Sequence, residues 1–338
     1  FADFRAIADT ANFIVVHPTA TMGAGLLGSA PAPSWNLNAN DSAGNSDRAF
    51  LYHLIDTLRA QYNIDTNRIY SAGFSQGGVM GYSFACLQNT RFAAIASVSG
   101  GMFPDVYSAC LPTHPTPILE IHGTSDPISN YDGTASSFGT PPSEPVDTVI
   151  KYWVNFNNCN PVPTKVIIPN AVASDNSTAE HYIYSGGDSG STVELIKVIS
   201  GGHTWPSDVA TGGTTNSNGT PMQVGNRNMD FSASKEIWRF FSQYPLIEYP
   251  PVTGIADQMP LTTIVLVSPN PSNGAFTLYV ENILPATTIQ LTNLLGELIY
   301  EEQIVNNYTP VVLHNMANGI LFYSIISKEG IIKTGKLI

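Results

Sequence analysis

The pattern of apolar and polar residues differs between two parts of the sequence. Up to about residue 245, short apolar runs alternate with segments whose apolar residues recur every three or four positions. The short runs predict buried strands, and the periodic segments predict amphipathic helices. The predicted strands cover 12–16, 68–72, 93–98, 117–121 and 193–199, and the predicted helices cover 46–62, 77–86, 146–156 and 232–244. This alternation favours an α/β fold with a mostly parallel sheet covered on both faces.

Beyond a proline-rich stretch, the pattern changes to short segments typical of β-strands, separated by turn residues. The predicted strands there are 264–267, 275–280, 288–293, 297–300, 309–314, 320–327 and 331–337. Turn signals at this spacing predict a small all-β sandwich. Because Pro245, Pro250, Pro251 and Pro260 resist both helix and sheet, we predict a linker. The predicted domains are therefore 1–245, a linker at 246–262, and 263–338.

Composition and charge narrow the function classes. The chain has 338 residues, a formal net charge of −12 and 12% charged residues. So few basic residues argue against nucleic acid as a partner. No apolar run reaches the roughly 18 residues of a membrane span, and the start of the chain lacks a signal-peptide pattern. The many uncharged polar loops hint at an exported protein.

Three cysteines, Cys86, Cys110 and Cys159, are too few for a disulfide scaffold. No CxxC pair occurs, so their spacing does not suit a zinc site. One disulfide and one free thiol are compatible with the sequence, and all three pairings are open. We predict no metal and no organic cofactor.

A pentapeptide at residues 73–77, Gly-Phe-Ser-Gln-Gly, carries the clearest chemical signal. It follows a predicted strand and opens a predicted helix, where a G-x-S-x-G turn projects its serine out of the backbone. We expect both flanking glycines to be required because backbone segments approach closely there. The amide of Gln76 is placed to donate to a developing oxyanion. The alternative is a plain glycine-rich turn.

A serine nucleophile needs a base, and His203 is the best placed of seven histidines. It lies in a loop after the strand at 193–199, with two glycines before it and Pro206 after it. His53 falls on a helix, His17 ends a strand and could line the cleft, and His122 precedes a turn and is interpreted as structural. His314 belongs to the second domain.

Asp126 is the candidate acid, because it directly follows the strand at 117–121. Catalytic groups of parallel sheets collect at the carboxyl ends of the strands. The chain order Ser75, Asp126, His203 is that of α/β-hydrolases. Taken alone, Asp126 could also be a residue that caps the next turn.

The segments GFSQGGVM, IHGTSDP and GGHTWP together resemble the secreted feruloyl esterases, acetylxylan esterases and polyhydroxybutyrate depolymerases. The resemblance spans about residues 1–245 and implies an α/β-hydrolase fold. It also implies Ser75, Asp126 and His203 as nucleophile, acid and base. Trp205, Trp35 and Phe74 are expected to contact substrate, with core packing as the alternative for Trp35.

The resemblance also implies that the hydrolase domain is N-terminally incomplete. Members of the group carry an earlier strand that ends in a His-Gly-Gly-type loop, and this loop supplies a second oxyanion donor. We expect that segment to lie upstream of Phe1. Losing one such donor costs about 2.7–4 kcal/mol of transition-state stabilisation.

The C-terminal region resembles a different group. Its SPNPSNG, LTNLLGE and MANGILFY segments resemble the sorting domain of type IX secretion cargo, a system of Bacteroidetes. The resemblance implies that residues 263–338 engage the secretion machinery and that the protein is extracellular or on the cell surface. The alternative is a generic sandwich that binds carbohydrate.

These observations predict a serine carboxylic-ester hydrolase acting on feruloyl or acetyl esters of plant polysaccharide. An extracellular polyester is the alternative substrate, because both substrates demand an open cleft. A hypothesis of another class is a non-catalytic surface binding module that kept the fold.

Overall fold

The computed structural model describes residues 2–23, 32–37, 42–87, 89–136, 140–208 and 224–246, and most of 265–337. The gaps in that last region are 269, 271, 273, 281–282, 284–285, 294–295, 314–318 and 329. The chain divides into two compact units, Phe1–Tyr249 and Pro250–Ile338. Most of the proposed linker, from 247 onward, lies outside the described residues.

The first unit is built on a six-stranded mixed sheet. Its strands are β3 (Tyr70–Phe74), β4 (Ala94–Val98), β5 (Ile118–Gly123), β6 (Thr164–Ile168), β7 (Thr178–Tyr184) and β8 (Val193–Ile199), in the order β3-β4-β5-β8-β7-β6. The first four strands in this order are mutually parallel; β7 pairs antiparallel with β8, and β6 pairs antiparallel with β7. Two short strands, β1 (Met22–Gly23) and β2 (Ala32–Pro33), form a separate pair. The carboxyl ends of β3, β4, β5 and β8 therefore meet at one edge.

Helices cover both faces of this sheet. They are α1 (Arg5–Ala11), α2 (Ser42–Gln61), α3 (Gln76–Leu87), α4 (Pro104–Ser108), α5 (Val146–Phe156) and α6 (Ala233–Phe241). Along β4, Ile95 packs in a core with α3 and α5, whereas Ala94 and Ala96 pack in a core with α6. Successive strand residues thus point to opposite cores, as the period of two requires. The predicted α/β sheet covered on both faces is confirmed.

The predicted strand at 12–16 is wrong. Asn12 has φ +56° and its N–H donates to the Ala8 carbonyl, so it ends α1 instead of opening a strand. The residues that follow form no strand ladder among the described residues. Ile14 is 52% exposed and Val16 is 42% exposed. The ring of Phe13 stacks on Trp238 with centroids 4.2 Å apart.

The second unit is all-β. One sheet has the order β13-β10-β9 and the other β12-β11-β14-β15, and every pairing is antiparallel. The strands are β9 (Val265–Ser268), β10 (Ala275–Val280), β11 (Thr288–Thr292), β12 (Leu298–Gln303), β13 (Tyr308–Val312), β14 (Leu321–Ser327) and β15 (Gly330–Leu337). Leu278 of one sheet and Ile289 and Ile325 of the other share one buried core. The predicted all-β sandwich is confirmed.

The structure selects one of the three disulfide pairings that the sequence leaves open. Cys86, near the end of α3, is bonded to Cys110, after α4, at a sequence separation of 24. Cys159 is a buried free thiol, and burial raises the pKa of this thiol. Within the described part of the chain, no helix has the length and apolarity needed to cross a bilayer.

Candidate active site

Ser75 occupies a sharp turn between β3 and α3. Its φ is +54°, a conformation that residues other than glycine rarely adopt. Its N–H donates to the Val98 carbonyl of β4 at 2.9 Å, which anchors the turn to the sheet. A Cβ on Gly73 would lie 2.0 Å from the carbonyl carbon of Gly77. Only glycine at position 73 therefore allows α3 to begin this close to β3.

Gly77 does not share this requirement. A Cβ on Gly77 would meet no atom of the described structure within 4 Å. The prediction that close backbone contact requires both glycines is therefore wrong for Gly77. Gly77 is the second residue of α3, and the space that its side chain would occupy is open.

This asymmetry predicts different outcomes for two similar substitutions. We expect Gly73→Ala to lower the free energy of unfolding by about 1–3 kcal/mol or more, because the new methyl group overlaps the α3 backbone. Gly77→Ala, the matched control, should be neutral or stabilising by about 0.5–1 kcal/mol, since alanine is the better helix former. Urea unfolding of both variants measures this. Equal midpoints would contradict the geometry.

Gln76 is the first residue of α3, so its N–H has no acceptor within the helix. It lies at the positive end of the helix dipole, next to Ser75. The side chain of Gln76 has a separate contact, since its Oε1 accepts a hydrogen bond from the Trp35 N–H at 3.2 Å. One residue thus offers a backbone amide to the site and holds the Trp35 segment beside the turn.

Asp126 and His203 are hydrogen-bonded to each other. The Oδ2 of Asp126 lies 2.8 Å from the Nδ1 of His203, and both side chains are buried. The Oδ1 of Asp126 accepts the N–H groups of Ile128 at 2.9 Å and Ser129 at 2.8 Å. Burial acts to raise the pKa of Asp126, but the hydrogen bond and charge of His203 outweigh it and lower this pKa. The carboxylate is therefore ionised and held by three donors.

Close backbone contacts hold the loops that carry this pair. A Cβ on Gly123 would lie 2.3 Å from the Gly201 carbonyl oxygen, so these loops touch at their backbones. The N–H of Ser125 donates to that same oxygen at 2.9 Å. The His203 N–H donates to the Val224 carbonyl at 2.6 Å. Because β5 and β8 are neighbours, these contacts determine how the Asp126 and His203 side chains face each other.

The three aromatic residues expected to contact substrate differ in their burial and in their distance from His203. The Phe74 ring, adjacent to Ser75, lies 4.8 Å from the His203 ring and 6.4 Å from the Trp205 ring. Trp205 itself is only 5% exposed, and its indole N–H donates to Ser234 Oγ at 3.2 Å. Trp35 is half-buried against the core of α3 and α5, as its core-packing alternative predicts. Phe74 is therefore a predicted aromatic residue in direct ring contact with His203.

Among the described residues, His122 is a second histidine that lies beside Asp126. His17 and His53 are exposed, and residues 12–16 form no strand that would bring His17 to the site. His314 lies outside the described residues. His122, interpreted above as structural, is buried with its Nε2 3.6 Å from Asp126 Oδ2. Two polar residues at alternate positions of one buried strand, Glu120 and His122, were the signal for this arrangement. Among the described residues, no cluster of three or more potential metal ligands occurs.

Comparison with known proteins finds similar sequences for the first unit. Residues 33–137 match the model of the phospholipase/carboxylesterase family. The bifunctional acetylxylan esterase/xylanase of Neocallimastix patriciarum is 28% identical over 201 residues, which are 59% of this chain and 25% of that protein. Feruloyl esterase C of Emericella nidulans is 28% identical over 179 residues, covering 50% of this chain and 60% of that protein. This chain thus spans less than two thirds of either relative.

The C-terminal unit has its own match. Residues 266–338 match the model of the secretion system C-terminal sorting domain. Among solved structures, a variant of Arabidopsis thaliana SOBER1 has a TM-score of 0.30 and 19% identity, over 41% of this chain and 68% of that one. That similarity is too low to assign a fold, which rests on the sheet topology and the family match. The predicted resemblances to carboxylic-ester hydrolases and to type IX cargo tails are confirmed, and with them a secreted or cell-surface location.

Proposed function

We propose that the chain is a secreted serine carboxylic-ester hydrolase with Ser75, His203 and Asp126 as its catalytic residues. The observation that carries this proposal is the buried hydrogen bond between Asp126 and His203. It lies at the same sheet edge as the strained turn of Ser75, and the ring of Phe74 joins the two features. The proposed nucleophile, acid and base follow β3, β5 and β8, which is the chain order of α/β-hydrolases.

The proposed reaction proceeds in two halves. The Oγ of Ser75 attacks the ester carbonyl carbon while His203 Nε2 takes the hydroxyl proton, and the tetrahedral oxyanion accepts the Gln76 N–H. Collapse breaks the carbon–oxygen bond, and the leaving alcohol takes the proton from His203. Water, deprotonated by His203, then attacks the acyl-enzyme; the bond to Ser75 Oγ breaks, Oγ takes the proton back from His203, and the carboxylic acid is released. Asp126 fixes the Nδ1–H tautomer and stabilises each imidazolium.

The proposed substrates are feruloyl or acetyl esters of plant polysaccharide. Support comes from the acetylxylan and feruloyl esterase relatives and from the motifs that carry the resemblance. Phe74 next to the nucleophile offers an apolar surface to an acyl group. Residues 263–338 are proposed to direct export by the type IX machinery. A polyester is the competing substrate, and assays of acetylated xylan, methyl ferulate and polyhydroxybutyrate films in parallel discriminate between them.

Covalent labelling tests the catalytic assignment directly. A fluorophosphonate should react stoichiometrically with the folded protein, and mass spectrometry should locate the adduct on Ser75. The heat-denatured protein is the control and should not react, because labelling requires the assembled base and acid. An adduct on another serine, or no adduct together with no ester hydrolysis, would favour the non-catalytic binding module.

A further inference from the structure

A buried polar chain continues past Asp126 into the core. His122 Nδ1 lies 2.8 Å from Glu120 Oε1, and its Nε2 lies 2.8 Å from the Ser129 carbonyl oxygen. The other carboxylate oxygen of Glu120 accepts the Tyr82 hydroxyl at 2.8 Å. Glu120 and His122 are each only 1% exposed. Burying a carboxylate and an imidazole this deeply is costly unless they are paired, so the pair must be fully satisfied.

The hydrogen-bond partners define how many protons this pair carries. A carbonyl oxygen only accepts, so His122 Nε2 must carry a hydrogen toward Ser129. Nδ1 faces a carboxylate, so a second proton lies between His122 and Glu120. Burial opposes the charge on His122, but the hydrogen bond and charge of Glu120 outweigh it and raise the pKa of His122. Burial raises the pKa of Glu120 as well. The pair therefore holds two protons, with the Nε2–H end facing Asp126.

Asp126 Oδ2 thus lies between two imidazoles. His203 Nδ1 is 2.8 Å away and His122 Nε2 is 3.6 Å away. Positive charge on His122 stabilises the ionised carboxylate and competes with His203 for it. The anchor at Ser129 also matters, because the Ser129 N–H donates to Asp126 Oδ1 while its carbonyl accepts from His122. One residue thereby couples the two side chains.

We propose that His122, paired with Glu120, is a positioning residue that keeps Asp126 ionised and aimed at His203. This inference rests on the proposed function, since it assigns His122 a role through the proposed acid. Among the described residues, the other titratable groups near the pair are Tyr82 on α3, Tyr131, Glu144 and Lys197. The Tyr131 and His122 rings are in edge-on contact, with their centroids 5.8 Å apart. Lys197 Nζ lies over the Tyr131 ring, 4.5 Å from its centroid. Glu144 lines a small void together with Tyr82 and Glu120.

Two variants and a matched control test the proposal. Glu120→Gln and His122→Gln both remove the positive charge beside Asp126 and keep the approximate volume. The control, His181→Gln, breaks another buried pair in the same sheet, in which His181 Nε2 lies 2.7 Å from Glu194 Oε2. All three should lower thermal stability, so stability alone does not separate a positioning role from a structural one. Hydrolysis of p-nitrophenyl acetate as a function of pH does.

Removing the positive charge of His122 should shift the pH dependence of ester hydrolysis in one direction. Without the His122 cation, Asp126 interacts with His203 alone, which binds its proton more tightly. Because His203 must be neutral to act as a base, the acid limb of kcat/KM should move to higher pH in Glu120→Gln and His122→Gln. We expect kcat to fall about 10–100-fold with KM little changed, the range seen when a residue that orients a functional ligand is lost. His181→Gln should keep the wild-type pH profile and kcat.

Imidazole NMR makes the test independent of turnover. The His122 ring should carry a hydrogen on both nitrogens in the parent protein, as its two acceptors require, and should lose the Nδ1 hydrogen in Glu120→Gln; this readout does not require that any ester be hydrolysed. Should His122→Gln fail to fold, Glu120→Gln carries the test, since it is nearly isosteric. A singly protonated His122 in the parent protein, or an unchanged acid limb of kcat/KM in Glu120→Gln, would overturn the inference, whereas Ser75-dependent hydrolysis in that variant would leave the proposed function standing. Hydrolysis that persists in Ser75→Ala would overturn the proposed function instead.

Discussion

Replacing Ser75 by alanine should reduce ester hydrolysis by about 10⁴- to 10⁶-fold. The hydroxyl is the proposed nucleophile, and removing it leaves His203 and Asp126 with no group to activate. KM should change little, because the turn and the Gln76 amide remain. Initial rates on p-nitrophenyl acetate, corrected for spontaneous hydrolysis, measure the loss. Circular dichroism verifies that the variant is folded.

Ser99 offers a closely matched control. It also has a positive φ, +52°, and it directly follows the neighbouring strand β4. Its hydroxyl is buried and has no hydrogen-bond partner in the described part of the chain. Ser99→Ala therefore removes the same atom from a similar backbone and should keep activity within about threefold. If the two alanine variants lost activity equally, backbone strain at this edge would explain the effect better than nucleophilic attack.

Asp126→Asn should lower kcat by about 10⁴-fold while the protein stays folded. An asparagine keeps an oxygen for the N–H groups of Ile128 and Ser129. Its amide group would instead present hydrogens toward His203 Nδ1, which favours the tautomer protonated at Nε2. That tautomer cannot take the proton of Ser75. The loss of kcat should be smaller at high pH, because a small fraction of the Ser75 hydroxyl then ionises without help from His203.

Asp132→Asn is the control for the change of charge. Asp132 is exposed, and its Oδ1 alone accepts both the N–H and the hydroxyl of Thr134, so an asparagine preserves these contacts. Its activity should equal that of the parent protein. An Asp126→Asn variant with more than a tenth of parental kcat would contradict the assigned role of the acid.

Much of the first unit could be predicted because its local signals agree with its tertiary structure. The β4 and β5 strands and the α5 and α6 helices follow their periodicities and are buried as those patterns require. The proximity of Asp126 to His203 follows from a general property of parallel sheets, whose carboxyl ends share one edge. The catalytic roles of Ser75, Asp126 and His203 stay predictions.

The errors arise where local pattern and tertiary contact diverge. β6 is almost fully exposed and β7 carries Glu180 and His181 in its interior, so neither shows a clear strand pattern. Residues 12–16 have the apolar pattern of a strand, but a helix end precedes them and no ladder partner occurs among the described residues. The charged state of His122 depends on Glu120 and Ser129, and three-dimensional contacts of this kind cannot be inferred from spacing alone.

Because of the disulfide between Cys86 and Cys110, the stability of the protein depends on whether its compartment is reducing or oxidising. The disulfide closes a loop of about 25 residues that contains β4 and α4, and such a closure stabilises a protein by about 3 kcal/mol. Reducing compartments keep cysteines as free thiols, whereas oxidising conditions outside the cell allow the disulfide to form. The same chain is therefore less stable before export than after it. One disulfide between the end of α3, the helix that follows Ser75, and the segment after α4 thus accounts for a less stable precursor and a more stable extracellular form.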